Sequence, residues 1–331
     1  MILITGATGL VGAHIALQLI EKGNRVRAIY RTTSSIDKTR AYFDYYQKSA
    51  LFTQIDWLEA DILDIPLLEI AFENVDLVYH CAAFISYDPQ DEEQIRKTNI
   101  EGTANIVNFC LSKNVNKLCY ISSIAALGDK APHENTISET TEWNPEKPHS
   151  DYAISKYGAE MEVWRGQQEG LDVVVVNPGL IFGPFIKTIT DGSAGIYHKV
   201  AKGLSFYTMG STGCVVVDDV ANIAIMLMNS EIKNERFTLI ENNYPFKTIF
   251  DAIASALKVK KPRIHADPSL MNIIWRIDWL LSKILNKKRQ ISKATAKASS
   301  SKNTFSNEKI KTRLDYTFTN VTNYIQTNVI Q

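Results

Sequence analysis

The chain has 331 residues, enough for one large domain with a smaller appendage. Its 36 Lys and Arg balance 36 Asp and Glu, so no global field draws it to nucleic acid or to an acidic membrane. Apolar residues make up 45%, ordinary for a soluble globular protein, and no uninterrupted apolar run reaches the ~20 residues that a spanning helix needs.

The chain opens directly on a strand, Ile2-Leu3-Ile4, which leaves no room for a signal peptide; a cytoplasmic protein is expected. Thr5-Gly6-Ala7-Thr8-Gly9-Leu10-Val11-Gly12 follows, and then His14 to Ile20 reads as an amphipathic helix. Strand, glycine turn and helix form the context of a dinucleotide-binding fingerprint. Gly6 lets the chain turn off the strand, Gly9 lets backbone approach a pyrophosphate, and Gly12 lets the helix pack close to the sheet. The first helical N–H groups then face the phosphates. The spacing G-x-x-G-x-x-G is one residue longer at its first gap than the common form.

Arg25 to Tyr30 is a second strand. NAD-preferring proteins usually end it with an acid for the adenosine ribose. Here Tyr30 is followed by Arg31, whose guanidinium suits the 2′-phosphate of NADP. A helix is predicted over 36–48, a strand from Ile55 to Ala60 ending at Asp61-Ile62, and a short helix from Leu67 to Phe72. Val75 to His80 is a fourth strand running into Cys81-Ala82-Ala83, small residues that would let a flat ring lie close to the backbone. One long helix is predicted from Gln90 to Ser112, then a fifth strand from Lys117 to Ile121 leading to Ser122-Ser123. Strands alternating with helices predict a parallel, doubly wound α/β sheet of Rossmann type.

Gly128 to Ser150 is polar, contains three prolines and reads as a surface loop. Asp151 to Gln168 reads as a helix and Leu171 to Val176 as a strand buried on both faces. Beyond Asn177-Pro178-Gly179 the pattern loosens. Short strands near Phe206, Val215–Val217 and Phe237–Ile240 mix with helices near 192–202, 219–229 and 246–257. The division expected is a dinucleotide-binding domain over 1–180, with elements near 213–230 returning to it, and a mainly α+β substrate-binding region over 181–331. Leu270 to Leu285 is a strongly apolar helix carrying Trp275 and Trp279. Arg276, Asp278 and Lys283 interrupt it, so it does not span a membrane. From Lys258 onward 15 Lys and Arg face 4 Asp and Glu, about +11, and the basic run Asn286-Lys287-Lys288-Arg289 follows the helix. A packed helix is the first reading and a membrane-surface helix the second. The four cysteines, Cys81, Cys110, Cys119 and Cys214, show neither metal-ligand nor disulfide spacing, so buried free thiols and no metal are expected.

The reactive candidates lie in Asp151-Tyr152-Ala153-Ile154-Ser155-Lys156. Tyr152 and Lys156 are four apart and share a helix face. A tyrosine with its ordinary pKa near ~10 is a poor proton donor at neutral pH, and a nearby ammonium lowers it. The pair makes a general acid/base for a carbonyl/alcohol couple.

These motifs together resemble the extended short-chain dehydrogenase/reductase family. The matching pieces are the opening glycine turn, Asp61-Ile62, His80-Cys81-Ala82-Ala83, Asn99-Ile100-Glu101-Gly102-Thr103, Ile121-Ser122-Ser123, Tyr152-x-x-x-Lys156 and Asn177-Pro178-Gly179-Leu180-Ile181-Phe182-Gly183-Pro184. Val217-Asp218-Asp219-Val220-Ala221 is similar to the family's later Asp-Val-Ala signature, although Val216 stands where many members have a His. The resemblance implies Tyr152 as acid/base, Lys156 on the nicotinamide ribose, and Ser123 on the substrate oxygen. Ser123 is preferred to Ser122 because Ser123 to Gly128 matches the family's serine-to-glycine interval. The implied cofactor contacts are Gly6, Thr8, Gly9, Leu10, Val11, Gly12, Arg31, Asp61, Ile62, Cys81, Ala82, Ala83, Asn99, Lys156, Pro178 and Leu180.

The stretch from Asn177 to Pro184 and the C-terminal block are most similar to the dihydroflavonol-reductase and 3β-hydroxysteroid-dehydrogenase branch. That implies an NADP(H)-dependent reductase of a ketone or aldehyde on an apolar or ring-bearing small molecule, with NAD as the second cofactor choice. Phe84, Tyr87, Phe182 and Phe185 are candidate pocket aromatics, although aromatics at such positions are more often core than contact. The alternatives are an NAD-dependent nucleotide-sugar epimerase or dehydratase and a non-enzymatic dinucleotide sensor. Family members often form homodimers through a four-helix bundle, which here would use the helices at 90–112 and 151–168.

Overall fold

The computed structural model describes residues 1–86, 88–131, 134–284 and 293–329. In chain order the first half runs β1 (Ile2–Thr5), α1 (Leu10–Glu21), β2 (Val26–Tyr30), α2 (Thr33–Tyr45), α3 (Ser49–Phe52), β3 (Asp56–Glu59), α4 (Ile65–Ala71), β4 (Leu77–His80), α5 (Glu92–Arg96), α6 (Gly102–Ser112), β5 (Lys117–Ile121), α7 (Asp151–Gln168) and β6 (Val173–Pro178). The second half runs β7 (Leu180–Phe182), α8 (Ala194–Ala201), β8 (Phe206–Tyr207), β9 (Ser211–Val216), α9 (Val217–Met228), β10 (Glu235–Leu239), β11 (Asn242–Pro245), α10 (Phe246–Ala256), β12 (Ile264–His265), α11 (Pro268–Ile284), α12 (Lys293–Ser300), α13 (Glu308–Leu314) and α14 (Val321–Thr327).

Seven of these strands form one parallel sheet in the order β10-β6-β5-β4-β1-β2-β3, the doubly wound Rossmann arrangement. Apolar cores lie on both faces, which is why Leu118, Val173, Val174, Val175 and Val176 are all fully buried. The sheet's last strand comes from late in the chain: β10 pairs with β6, and α9 packs on α1. A second, three-stranded sheet, β11-β9-β7, is mixed and carries its own core with α8, α10 and α14. The Asp-Val-Ala signature joins the parts. Asp219 accepts hydrogen bonds from the Tyr316 hydroxyl and from both the amide and the hydroxyl of Thr319.

The long helix predicted over 90–112 runs without a gap but changes its winding partway. A π-helical turn over Lys97–Glu101 separates α5 from α6. Thr98 and Asn99 of this turn are buried. The four cysteines are free thiols, three of them buried, and burial pushes the Cys110 and Cys119 thiols up. No described helix is long and apolar enough to cross a membrane. The basic run 286–289 lies outside the described residues.

Candidate active site

Because the sheet is parallel, the C-terminal ends of β1, β2, β3, β4, β5 and β6 share one edge. Along it stand the Gly6 turn, Arg31, Asp61, Cys81 to Ala83, Ser123 and Pro178. The strand order reverses at β1, between β4 on one side and β2 on the other. That crevice is where open α/β sheets bind ligands.

The opening turn leaves no room for a side chain at two of its three glycines. Gly6 has φ +69°, a left-handed conformation, and a Cβ there would lie 2.5 Å from the Ala82 amide nitrogen. A Cβ on Gly12 would lie 2.4 Å from the Gly6 carbonyl oxygen, so α1 can sit this close to the turn only without a side chain. Gly9 differs: it is exposed and precedes α1, and an added Cβ meets only the Gly6 oxygen, at 3.3 Å. The backbone there stays open to a pyrophosphate, and no side chain caps the first N–H groups of α1. Thr8 and Leu10 are half-buried and Val11 is buried beside them. The residues present fit the cofactor.

A one-way chain of hydrogen bonds fixes the loop after β4. The Ala82 amide donates to Thr5 Oγ1 (3.2 Å), and because Nε2 carries the proton of the His80 ring, the Thr5 hydroxyl donates to Nδ1 (2.6 Å). Nε2–H of His80 then donates to Thr103 Oγ1 (2.9 Å), and that hydroxyl to the Asn99 carbonyl (2.6 Å). The network assigns the tautomer. Full burial, helped by the Lys156 charge, holds His80 down at about 3, so the ring is neutral. Asn99 binds both backbone groups of Phe84, accepting from its amide (2.7 Å) and donating to its carbonyl (3.0 Å), and donates also to Ser155 Oγ. Its amide is thus engaged with the Cys81–Phe84 loop.

Tyr152 and Lys156 lie one turn apart on α7, whose start is capped by Ser150 Oγ on the Ala153 amide. Lys156 is buried, and its Nζ donates to the Tyr120 hydroxyl and to the Ile121 carbonyl, each at 2.8 Å. Burial lowers its pKa to about 7 against the pull of Glu160. Tyr152 is half-buried, and burial first, then the charges of Glu160 and Tyr152, push the Tyr120 hydroxyl up. Ser123 is half-buried, with its Oγ accepting from the Ala125 amide (3.1 Å). Its own O–H is thereby left as a donor. Ser122 turns to the other face, as alternation along a strand requires, and donates to Glu160 Oε2 (2.7 Å).

Glu160 is fully buried and gathers four donors. Ser122 and Asn177 Nδ2 (2.8 Å) reach Oε2; Arg236 Nη1 (3.0 Å) and Trp164 Nε1 (3.3 Å) reach Oε1. Asn177 Nδ2 also donates to the Ser123 carbonyl (3.0 Å), linking β6 to the serine turn. Sequence reasoning missed Glu160 and Tyr120. Glu160 could have been found, since Tyr152, Lys156 and Glu160 form an i, i+4, i+8 stripe. Tyr120 carries no such signal, because a tyrosine in a buried strand reads as core.

The remaining expected contacts are placed as follows. Asp61 is half-buried, its Oδ1 accepting from the Leu63 amide, and Ile62 is buried under Gly102. Arg31 is exposed between β2 and the start of α2. Pro178 ends β6, and Leu180 begins β7. Phe182 and Phe185 do not face a cavity: both are buried in the second core, where Phe185 stacks on Tyr197 at 5.2 Å. Phe84 is half-buried, and Tyr87 lies outside the described residues.

The profile of the NAD dependent epimerase/dehydratase family matches residues 2–239. The chain is 30% identical over 218 residues to a Synechocystis protein that carries the name dihydroflavonol 4-reductase; the match spans 66% of this chain and 60% of that one. It is 26% identical over 276 residues to sterol demethylase protein B of Methylococcus capsulatus, spanning 81% and 78% of the two chains. The crystal structure of gox2253 superposes with a TM-score of 0.80 at 27% identity, covering 99% of this chain and 96% of that one. With a family match over most of its length and the crevice and glycine turn in place, the chain belongs to the NAD dependent epimerase/dehydratase family and is an NAD(P)-dependent oxidoreductase of the extended short-chain dehydrogenase/reductase type.

Proposed function

We propose that the protein is an NADP(H)-dependent reductase of a ketone or aldehyde on an apolar or ring-bearing small molecule. The observation that carries the reading is the buried Lys156, held by Tyr120 and the Ile121 carbonyl one helical turn from Tyr152. The nicotinamide, when bound, supplies the hydride. Tyr152 gives its proton to the carbonyl oxygen as negative charge develops there. Lys156 in its charged form stabilises the resulting phenolate, and with two of its three N–H groups engaged it keeps one for the nicotinamide ribose or the phenol. Ser123, its acceptor side engaged by the Ala125 amide, donates to the same substrate oxygen. The Cys81–Phe84 loop, pinned through Thr5, His80 and Asn99, forms the wall behind the cofactor.

The choice of NADP rests on Arg31, exposed beyond β2 at the N-terminal end of α2, where the helix dipole and the Thr33 and Ser34 hydroxyls also favour a phosphate. The names of the two relatives, a dihydroflavonol reductase and a sterol demethylase protein, support a ring-bearing substrate. A homodimer through α6 and α7 belongs to the same proposal. Tyr157, Met161 and Trp164 are none of them buried and repeat at i, i+4, i+7 along α7. Sedimentation velocity tests it.

The test of the function is NADPH oxidation by purified protein against a panel of cyclic and aromatic carbonyls. Turnover that needs added NADPH is expected. Tightly retained NAD, with interconversion of nucleotide sugars and no added cofactor, would replace the reading with an epimerase.

A further inference from the structure

Helix α11 leaves most of its apolar surface uncovered. Its inner side, Leu270, Met271, Ile274 and Trp275, packs with Ala266 and with Ala296 of α12. A second apolar stripe runs along Ile273, Ile277, Leu280, Leu281 and Ile284, the i, i+4, i+7, i+8, i+11 positions of one face. These five residues are 48% to 68% exposed. The β8–β12 pair just before α11 adds Phe206 and Ile264, also exposed and in register with each other. So many exposed large apolar side chains are unusual on a face that meets only water.

The charge around the stripe is as one-sided as the stripe itself. Lys258, Lys260, Lys261 and Arg263 precede it, Arg276 and Lys283 stand on α11, and Lys293, Lys297 and Lys302 follow; all nine are exposed. The acids over the same stretch are Asp267 and Asp278. Lys283 Nζ lies 4.5 Å over the ring of Trp279, which places an amphipathic ring and a cation together at the border of the stripe. An apolar band flanked by tryptophan and lysine matches the boundary between acyl chains and headgroups.

We propose that α11 lies in the surface of an anionic lipid bilayer, with Ile273, Ile277, Leu280, Leu281 and Ile284 among the acyl chains and the surrounding cations on the headgroups. A second copy of the chain is a poor occupant, because pairing would press two cationic surfaces together. The inference does not depend on the identity of the substrate.

The test is flotation of the full chain with vesicles of pure phosphatidylcholine and with vesicles containing about 30% phosphatidylserine. The protein is expected to float with the anionic vesicles and at least ~10-fold less with neutral ones, and to be released by high salt. Ile277→Asn/Leu281→Asn should weaken flotation at least ~10-fold, since two exposed apolar side chains lose their burial. Lys283→Glu/Lys297→Glu should weaken it on anionic vesicles and leave the melting temperature unchanged. Absence of flotation with anionic vesicles overturns the proposal. So does binding that is equal on both lipids and unaffected by salt. Concentration-dependent self-association that Ile277→Asn/Leu281→Asn abolishes would overturn it too and assign the face to a second copy.

Discussion

Replacing Glu160 by Gln tests the site's framework at its most constrained point. The carboxylate accepts two donors on each oxygen: Ser122 and Asn177 on one, Arg236 and Trp164 on the other. An amide cannot reproduce that. Whichever way it is turned, its NH₂ faces two donors and one pair of hydrogen bonds is lost. In either orientation Arg236 loses its buried counter-charge, because the amide is neutral. Breaking a buried ion pair by neutralising one partner costs about 3–5 kcal/mol. Arg236 also donates to the Glu139 carbonyl and is not fully buried, so the lower end, about 3 kcal/mol, is expected. For a chain of 331 residues, at about 2.1 cal/mol/K of unfolding entropy per residue, that is a fall of roughly 4 °C in melting temperature. Because Asn177 also holds the Ser123 carbonyl, turnover should fall as well, with NADPH affinity nearly unchanged. The assays are thermal and urea unfolding of both proteins, followed by steady-state kinetics. A loss below about 1 kcal/mol would refute the reasoning, since it would mean that the four-donor cluster contributes no more than an exposed ion pair.

Other perturbations follow from the same geometry. Lys156 must be charged to support the phenolate, and its pKa in the empty site is about 7. The kcat/KM for carbonyl reduction should therefore fall as pH rises through about 7, and a profile flat from pH 6 to 9 would contradict this. Arg31→Ala should weaken NADPH by roughly 10- to 150-fold, the equivalent of one charge-assisted bond of about 1.5–3 kcal/mol, and leave NADH nearly unchanged, as read by cofactor titration. Gly6→Ala would set a methyl group against the Ala82 backbone in a left-handed conformation, and should lower stability by a few kcal/mol and remove cofactor binding together. His80 is held at about 3 in the fold against about 6.5 unfolded, so the unfolded chain takes up the proton first as pH falls. Its contribution is complete above pH 6.5 and is lost towards pH 3. Urea unfolding should show about 2 kcal/mol less stability at pH 5 than at pH 7 from this ring, and His80→Gln should flatten the slope by that amount.

The Rossmann sheet and its opening turn were legible because local rules and tertiary structure agree there. Gly6 and Gly12 are required by the turn and by the approach of α1, and β1, β4, β5 and β6 are short, largely buried runs. The change of winding between α5 and α6 was not legible. A π turn over Lys97–Glu101 has no residue signature that a helix-period reading detects. The acid and base candidates could be read from spacing, but their supports could not. Tyr120 and Glu160 act through contacts 36 and 38 residues away in sequence, set by how β5 lies against α7. For Phe182 and Phe185 the sequence left core and pocket wall both open, and the second sheet buries both. The late return of the chain to the main sheet through β10 rests on a pairing with β6 that periodicity in a five-residue strand cannot announce.

The central claim is that a phenol on α7, served by a buried lysine, moves the proton in a nicotinamide-dependent reduction. Tyr152→Phe removes only that hydroxyl. The account predicts NADPH turnover at least ~10³-fold lower, with NADPH affinity within a few-fold of the parent. Turnover that survives the substitution, or cofactor binding lost along with it, would contradict it.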